Sequence, residues 1–459
     1  MQTEPKLAPA EGLRDRYDVI VVGGGPAGTT FGQLMRRGGH DVLVVERDRH
    51  PRFCVGESLL PATTPVWKRL GLLERFEKAG FLRKYGAYFC FADGHQPEYF
   101  HFPDASRPRG PFAYEVPRAD FDRLLWEAAL EAGVDCHDHT AVSRFVFEGD
   151  RVTGVELRLP DGGSARVTAR LVADCSGRAT QLARQMGTRE RDPRLEKVAL
   201  YCHYDDVVRS AGDDAGTIGI IATDFGWMWF IPFAGGGASV GAVIHLSRFA
   251  ARRKAGCEDA AIWDEILAEV PAVSTRLAGS VQTRPVEAQA DFQYRVRQLA
   301  GDGWVVIGDA GGFLDPVFST GVHLAMTGAE TASRAALIAL GRDRLPRAGD
   351  FASYARVTRS ALRTYSKFIY AWYDPAFRKI FMRPARGVPG VELLKREIIS
   401  VLAGAVSPSW RVLPAMQLLL TLARLRRWAD RRDPSTRGSS GADSPTSESR
   451  EASNRSRHP

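Results

Sequence analysis

The stretch Tyr17-Asp18-Val19-Ile20-Val21-Val22-Gly23-Gly24-Gly25-Pro26-Ala27-Gly28 decides the fold of this chain. Its first six residues read as a buried strand. Gly23, Gly25 and Gly28 then fill a G-x-G-x-x-G frame and open a helix. The first glycine permits the tight turn and the second lets a pyrophosphate approach the backbone. The third lets the helix pack on the strand, with its positive end on the phosphates. A second strand leads to Glu46, about 20 residues further on, where a ribose hydroxyl wants a carboxylate. Strand, turn, helix, strand and acid stand in the order of a dinucleotide site. Pro26, Ala27 and Arg47 complete the expected cofactor-binding set at this end of the chain.

The bulk composition is that of a globular protein. The chain has 459 residues, 44% hydrophobic and 25% charged, enough for two or three layers around more than one core. Its six cysteines are scattered without a C-x-x-C pair. That argues against a metal site or a disulfide framework and for a reducing compartment, so a cytoplasmic protein is expected. Met1 to Arg16 is polar and charged, unlike a signal peptide. No apolar run is long enough to cross a bilayer.

The net charge is +8, yet residues 351–428 hold 14 Lys/Arg against the three acids Asp374, Glu392 and Glu397. This excess marks either a solvated helical face or a surface for an anionic partner. No nucleic-acid recognition module accompanies it, so nucleic acid is not the expected partner.

Further along, residues 114–135 carry helical spacing after Pro117. Val142–Phe147, Val152–Leu159 and Ala165–Val172 alternate like strands, with Asp161-Gly162-Gly163 as a turn. Residues 197–246 form a second strand-rich region, dense in aromatic side chains. Trp304-Val-Val-Ile-Gly308-Asp309-Ala310 is another buried strand that runs into a glycine turn. Residues 321–342 and 351–428 read as helical. Residues 430–459 are rich in Ser, Arg, Asp and Pro and are expected to be disordered.

The pattern predicts an α/β fold: a Rossmann-like domain with an inserted β-sheet domain and a helical C-terminal region. The boundaries expected are 17–80, 114–190 and 285–345 for the discontinuous nucleotide domain, after a tail at 1–16. Residues 81–113 and 191–284 would form the substrate sheet, and 346–429 the helical region.

Four segments together resemble the FAD signatures of the single-component aromatic hydroxylase superfamily. They are the N-terminal glycine motif, Val116-Pro-Arg118-Ala-Asp-Phe-Asp122, Asp174-Cys-Ser-Gly177, and Gly308-Asp309-Ala310-Gly-Gly-Phe-Leu-Asp315-Pro316. The resemblance implies that Arg118 contacts the FAD phosphate or ribityl region and that Asp309 hydrogen-bonds the ribityl chain. It also implies that the helix from Gly321 and Val322 points its N-terminus at the flavin pyrimidine, where reduced flavin is negative.

Within that superfamily the chain is similar to the flavin-dependent halogenases over residues 17 to about 380. Gly56-Glu57-Ser58-Leu-Leu-Pro61 resembles their G-E-S-x-x-P segment, and Trp227-Met-Trp229-Phe-Ile231-Pro232 their W-x-W-x-I-P motif. Lys84 sits where those enzymes carry the lysine needed for halogenation. Asp315-Pro-Val-Phe-Ser319-Thr320-Gly321-Val-His323 and Tyr373-Asp374-Pro375 resemble further segments of the same enzymes.

What the resemblance implies is chemically coherent. Reduced FAD and oxygen convert chloride or bromide into hypohalous acid. The Lys84 ammonium then hydrogen-bonds this oxidant, or the amine becomes a haloamine, and delivers electrophilic halogen. Backbone N–H groups at Thr320 and Gly321 are the expected halide site. Trp227 and Trp229 share one face of a strand and, with Phe318, are expected to form the substrate pocket and to separate substrate from flavin.

Halogenases acting on free tryptophan carry a glutamate where this chain has Phe318, so that role is absent or filled elsewhere. The difference places the chain nearer the halogenases of phenols, pyrroles and carrier-bound substrates. No nicotinamide site is evident, which leaves reduced FAD to a separate NAD(P)H-dependent flavin reductase. The competing expectations are an FAD hydroxylase or a prenyl-chain reductase on the same fold. A non-catalytic flavoprotein that binds a carrier or membrane is the third.

Overall fold

The computed structural model describes residues 12–290, 293–342, 344–382 and 389–405, with isolated positions at 418, 421 and 425. The serine-rich tail 430–459 and the basic end containing Arg424, Arg426 and Arg427 lie outside the described residues.

Why the glycine motif forms a site is visible in the first sheet. Strand Arg16–Val22 lies between Ser164–Asp174 and Val42–Val45, parallel to both. Ser164–Asp174 in turn pairs in parallel with Trp304–Val306. Parallel strands are buried on both faces, and the continuous apolar runs of these strands satisfy that need. The register sets Val22 opposite Asp174, and Asp174 opposite Val306. Three motifs far apart in sequence therefore leave the sheet side by side: Gly23 after the first strand, Cys175-Ser-Gly177 after the second, Gly308-Asp309 after the third. Ligands bind at such carboxyl ends of parallel strands.

Two glycines are demanded by the backbone itself. Gly23 has φ 107°, and a Cβ there would lie 2.4 Å from the Cys175 carbonyl oxygen. A Cβ on Gly28 would lie 1.9 Å from the Gly23 carbonyl oxygen, so only glycine lets helix Pro26–Arg37 sit this close to its strand.

The helix expected over 114–135 is shorter, Arg118–Glu131, and is preceded by strand Ala113–Glu115. Pro117 is the cause. It holds Val116 extended, cannot donate in a strand ladder, and takes the N-cap position. After Gly133 the chain returns to the sheet as strand Asp135–His137 beside Val42–Val45.

The second sheet has the order Val281–Gln282, Lys197–Asp205, Ala238–His245, Gly226–Pro232, Ile218–Thr223, Gly86–Phe91, Glu98–His101. One face packs against helices Ala352–Trp372, Pro375–Met382 and Pro389–Leu402 through Phe89, Trp229, Phe318, Trp372 and Phe381. The other face buries Tyr204, Met228 and Trp263 under helix Asp259–Ala268. Each fully buried side chain of this size contributes roughly 1.5–3 kcal/mol, so both faces are anchored. The architecture is a Rossmann-like parallel sheet, a second mainly antiparallel sheet, and a helical C-terminal region.

Tyr373 and Asp374 tie these layers together. Tyr373 donates to Asp315 Oδ2 at 2.5 Å and accepts from Trp227 Nε1 at 3.2 Å. Asp374 Oδ1 accepts from the Ala376 amide at 3.0 Å and so caps the next helix. Among the described residues no helix is long and apolar enough to cross a membrane.

Candidate active site

A cavity of about 440 Å³ lies at the carboxyl ends of the parallel strands. Gly23, Gly25, Pro26, Ala27, Glu46 and Arg47 line one end, and Asp309, Gly321 and Val322 another. Helices Pro26–Arg37 and Gly321–Leu340 both point their N-termini into it, and neither has a side-chain cap. Two uncapped helix starts present free N–H groups and positive dipole ends to one space. Gly25 has only Arg52 Nη2 near the place its Cβ would occupy, at 3.3 Å. This cradle fits FAD. Gly23, Gly25 and Arg52 would hold its phosphates, and Trp227, Trp229 and Ile231 offer apolar wall to its ring. Burial pushes the Asp309 carboxyl above the usual carboxylate range.

Glu46 is buried and engaged locally. Its Oε2 accepts from the Gly24 amide at 2.8 Å and its Oε1 from the Asp48 amide at 3.1 Å. Arg118 lies on the cavity wall, as expected of a residue near the cofactor, and is also engaged within the protein. Its Nε and Nη2 are bound to Asp122 at 2.8 and 2.9 Å, and its Nη1 donates to the Val55 carbonyl at 2.9 Å. The residue lies on the cavity wall, but its fork is filled by a carboxylate one helical turn away. Its direct work is to hold the Val55–Gly56 backbone. Arg52, four residues before the Gly56-Glu57-Ser58 segment, is the guanidinium beside the phosphate cradle. Its Nη1 binds Asp122 at 3.0 Å and its Nη2 Glu46 at 3.3 Å.

A second, much smaller chamber of about 20 Å³ lies behind the first. Lys84, Phe89, Phe100, Phe102, Phe318 and Leu402 line it. Ile218, Ile220 and Ser319 belong to the walls of both cavities and form the partition between them. Trp227 and Trp229 line the cofactor cavity and not the lysine chamber. Both rings leave the same face of strand Gly226–Pro232, and the neighbouring strand Ile218–Thr223 stands between them and Lys84. Phe318 does line the chamber. Gly321 opens on the cofactor cavity, while Thr320, buried after the left-handed turn at Ser319 (φ 56°), is part of neither wall.

Lys84 ends strand Leu82–Lys84, which pairs with Ala113–Glu115. Its side chain is 1% exposed. Nζ donates to Ser58 Oγ at 2.6 Å and to the Leu59 carbonyl at 3.2 Å. Ser58 Oγ donates in turn to Glu115 Oε1 at 3.1 Å. Burial lowers the Lys84 pKa, opposed by the Glu115 charge. Burial raises the Glu115 carboxyl to about 8. Desolvation acts against both charged forms at once.

Residues 18–110 and 103–380 match the tryptophan halogenase family. The chain belongs to these flavin-dependent halogenases. It is 30% identical over 423 residues to a 1H-pyrrole-2-carbonyl-[peptidyl-carrier protein] chlorinase of Pseudomonas fluorescens, covering 84% of this chain and 90% of that one. A brominase of the same carrier-bound pyrrole from Pseudoalteromonas luteoviolacea is 33% identical over 314 residues, 68% of this chain and 74% of that one. A solved flavin-dependent brominase superposes with a TM-score of 0.78 at 26% identity, covering 91% of this chain and 100% of the other. The halogenase is thus an FAD-dependent oxidoreductase that uses chloride or bromide.

Ser58 and Glu115, beside Lys84, are not among the residues expected from sequence. For Glu115 a signal was present: a single acid in the otherwise apolar run Phe112-Ala-Tyr-Glu115-Val. An acid alone in a short buried strand needs a partner.

Proposed function

We propose that this halogenase places chlorine or bromine on an electron-rich ring, a pyrrole or a phenol, held as a thioester on an acidic carrier protein. We assign Lys84 as the residue that delivers the halogen. The observation that carries the assignment is the position of Lys84: on the wall of an aromatic chamber, its Nζ 5.5 Å from the Phe102 ring centre, with Ile218, Ile220 and Ser319 shared between that chamber and the cofactor cavity. Bound FAD, reduced by a separate flavin reductase, would activate O2, the oxidant that converts halide to hypohalous acid.

The chain's own residues do the rest. Ile218 and Ile220 keep flavin and ring apart, which disfavours direct oxygen transfer. The aromatic walls exclude water, which would otherwise consume the oxidant. Lys84, with its lowered pKa, supplies a hydrogen-bond donor as ammonium or a nucleophile as amine. Phe318 makes the chamber apolar where tryptophan-specific enzymes carry a glutamate. The chamber has room for about one water molecule, so its walls must part to admit a ring.

Two observations support the carrier. Both pyrrole relatives act on carrier-bound rings. Helix Ala352–Trp372 also carries Arg356, Arg359, Arg363 and Lys367 exposed along one stripe, with no acid on the helix. Such a stripe attracts an acidic partner.

The test is mass spectrometry of products with a flavin reductase, NADH, halide, and free and carrier-bound rings. Halogenated carrier-bound product is expected, with Lys84→Ala reducing it more than about 100-fold while flavin reoxidation continues. Product from free rings alone removes the carrier. Near-normal halogenation by Lys84→Ala removes the lysine assignment.

A further inference from the structure

Lys84 does not stand alone in its chamber. Strands Leu82–Lys84 and Ala113–Glu115 are antiparallel, with Leu82 opposite Glu115 and Lys84 opposite Ala113. Lys84 and Glu115 therefore sit diagonally on one face of this two-stranded ribbon. Ser58 pairs with Glu115 through an isolated bridge, and its hydroxyl lies between the two charged groups. Lys84 and Glu115 are 1% and 0% exposed, so both charged groups depend on partners within the protein.

We propose that Glu115 is a positioning and proton-accepting residue for Lys84, acting through the Ser58 hydroxyl as a wire for one proton. This inference rests on Lys84 as the delivering residue. The step is balanced. An Nζ–H bond of the ammonium breaks as Ser58 Oγ takes the proton. The Oγ–H bond breaks as Glu115 Oε1 takes that one. Lys84 is left as an amine with a free lone pair, Glu115 as a carboxylic acid, and Ser58 unchanged. No electron is transferred, and the net charge of the trio is zero before and after. The amine is the form that can accept halogen from hypohalous acid. The proton is not lost, and it returns along the same path to restore the ammonium.

The environment favours such an exchange. Lowering of Lys84 and raising of Glu115, both by burial, bring the two proton affinities together. The Ser58 hydroxyl, hydrogen-bonded to both, supplies the path between them. Glu115 thus supplies the carboxyl group that Phe318 denies to this active site, from a different strand and by way of a serine.

The other titratable groups nearby face other partners or act only through space. Glu57, fully buried on the same segment as Ser58, lies 2.8 Å from His203 Nε2. Arg118 holds Asp122. Arg83, next to Lys84, binds Glu77 at 2.8 Å on the outer side, as does Tyr114, next to Glu115, at 2.6 Å. Glu57 acts on Glu115 only as a like charge, which raises its proton affinity further.

The test uses full-length FAD-loaded enzyme with Glu115→Gln, Glu115→Asp, Ser58→Ala and Lys84→Ala. The first readout is halogenated product per NADH between pH 6 and 9, beside flavin reoxidation. The second is the pH titration of the Lys84 15Nζ resonance in lysine-labelled protein, which does not depend on turnover. Glu115→Gln keeps the shape but cannot take the proton. It should lower product yield at least tenfold and remove the inflection of the pH profile, with reoxidation unchanged. The Lys84 resonance should titrate at lower pH, because the opposing charge is gone. Glu115→Asp should restore part of both, and Ser58→Ala should reproduce the loss with both ionisable groups present. Wild-type yield and inflection in Glu115→Gln, alongside an inactive Lys84→Ala, would overturn the wire and leave the lysine assignment standing. An active Lys84→Ala would overturn the assignment itself. Should Glu115→Gln fail to fold, Ser58→Ala decides between the same outcomes.

Discussion

Two glycines of one motif should fail in different ways, and the contrast separates folding from cofactor binding. In Gly28→Ala the new methyl would lie 1.9 Å from the Gly23 carbonyl oxygen, where ordinary contact begins near 3.4 Å. Helix and strand would have to part by about 1.5 Å in a close-packed layer, at about 3 kcal/mol or more. That is a large part of the roughly 5–15 kcal/mol that holds a domain together. In Gly25→Val the backbone is already acceptable, at φ −81° and ψ −170°. The nearest atom is the mobile end of Arg52, at 3.3 Å. The apoprotein should change by less than about 1 kcal/mol, partly because valine restricts the unfolded chain. The valine would nevertheless fill the phosphate cradle, and FAD affinity should fall at least about 100-fold, or about 2.7 kcal/mol. Flavin absorbance per protein, and melting with and without added FAD, read both effects. Ligand at 100 times Kd stabilises by about 2.7 kcal/mol. Wild type should show that rise in Tm. Gly25→Val should melt like apo wild type and not respond. Gly28→Ala should melt early in either condition. Full FAD occupancy in Gly25→Val would refute the placement of the phosphates, and early melting of its apo form would refute the argument from φ and Cβ space.

Burial holds the His323 imidazole down to about 4, against 6.5 in an unfolded chain. Its contribution to stability is therefore complete above pH 6.5 and lost as pH falls toward 4, at most about 3 kcal/mol. Asp315, raised by burial to about 6, acts with the opposite sign and loses stability as pH rises, so the comparison must be with a variant. His323→Gln should shrink the gap between denaturation midpoints at pH 7 and pH 4.5, and an unchanged gap disproves this. Charge reversal at Arg356, Arg363 and Lys367, exposed on the outer face of their helix, should slow turnover of carrier-bound substrate about tenfold at low salt while sparing a free analogue. Because screening acts within about 8 Å at physiological ionic strength, added salt should erase the difference. Equal effects on both substrates would remove the docking face.

The nucleotide-binding start is encoded locally. Tyr17 to Gly28 is a local instruction: a strand's apolar run, glycines where a Cβ cannot stand, and a helix with an open N-terminus. The family was legible for the same reason, since Trp227, Trp229 and Lys84 fall within short contiguous motifs. Only the tertiary structure decided how those motifs meet. The parallel register of Val22, Asp174 and Val306 gathers three distant turns at one cavity, and no local pattern encodes register between strands so far apart. It also placed the partition. Period 2 put Trp227 and Trp229 on one face but could not say that Ile218 and Ile220 would stand between them and Lys84. The pairing of Arg118 with Asp122, one turn along its helix, is likewise a product of the folded helix. The Lys84–Ser58–Glu115 trio depends most on the fold. Its members come from three short segments, each ordinary alone, and only burial together makes two opposite charges give up part of their hydration and share a proton's reach.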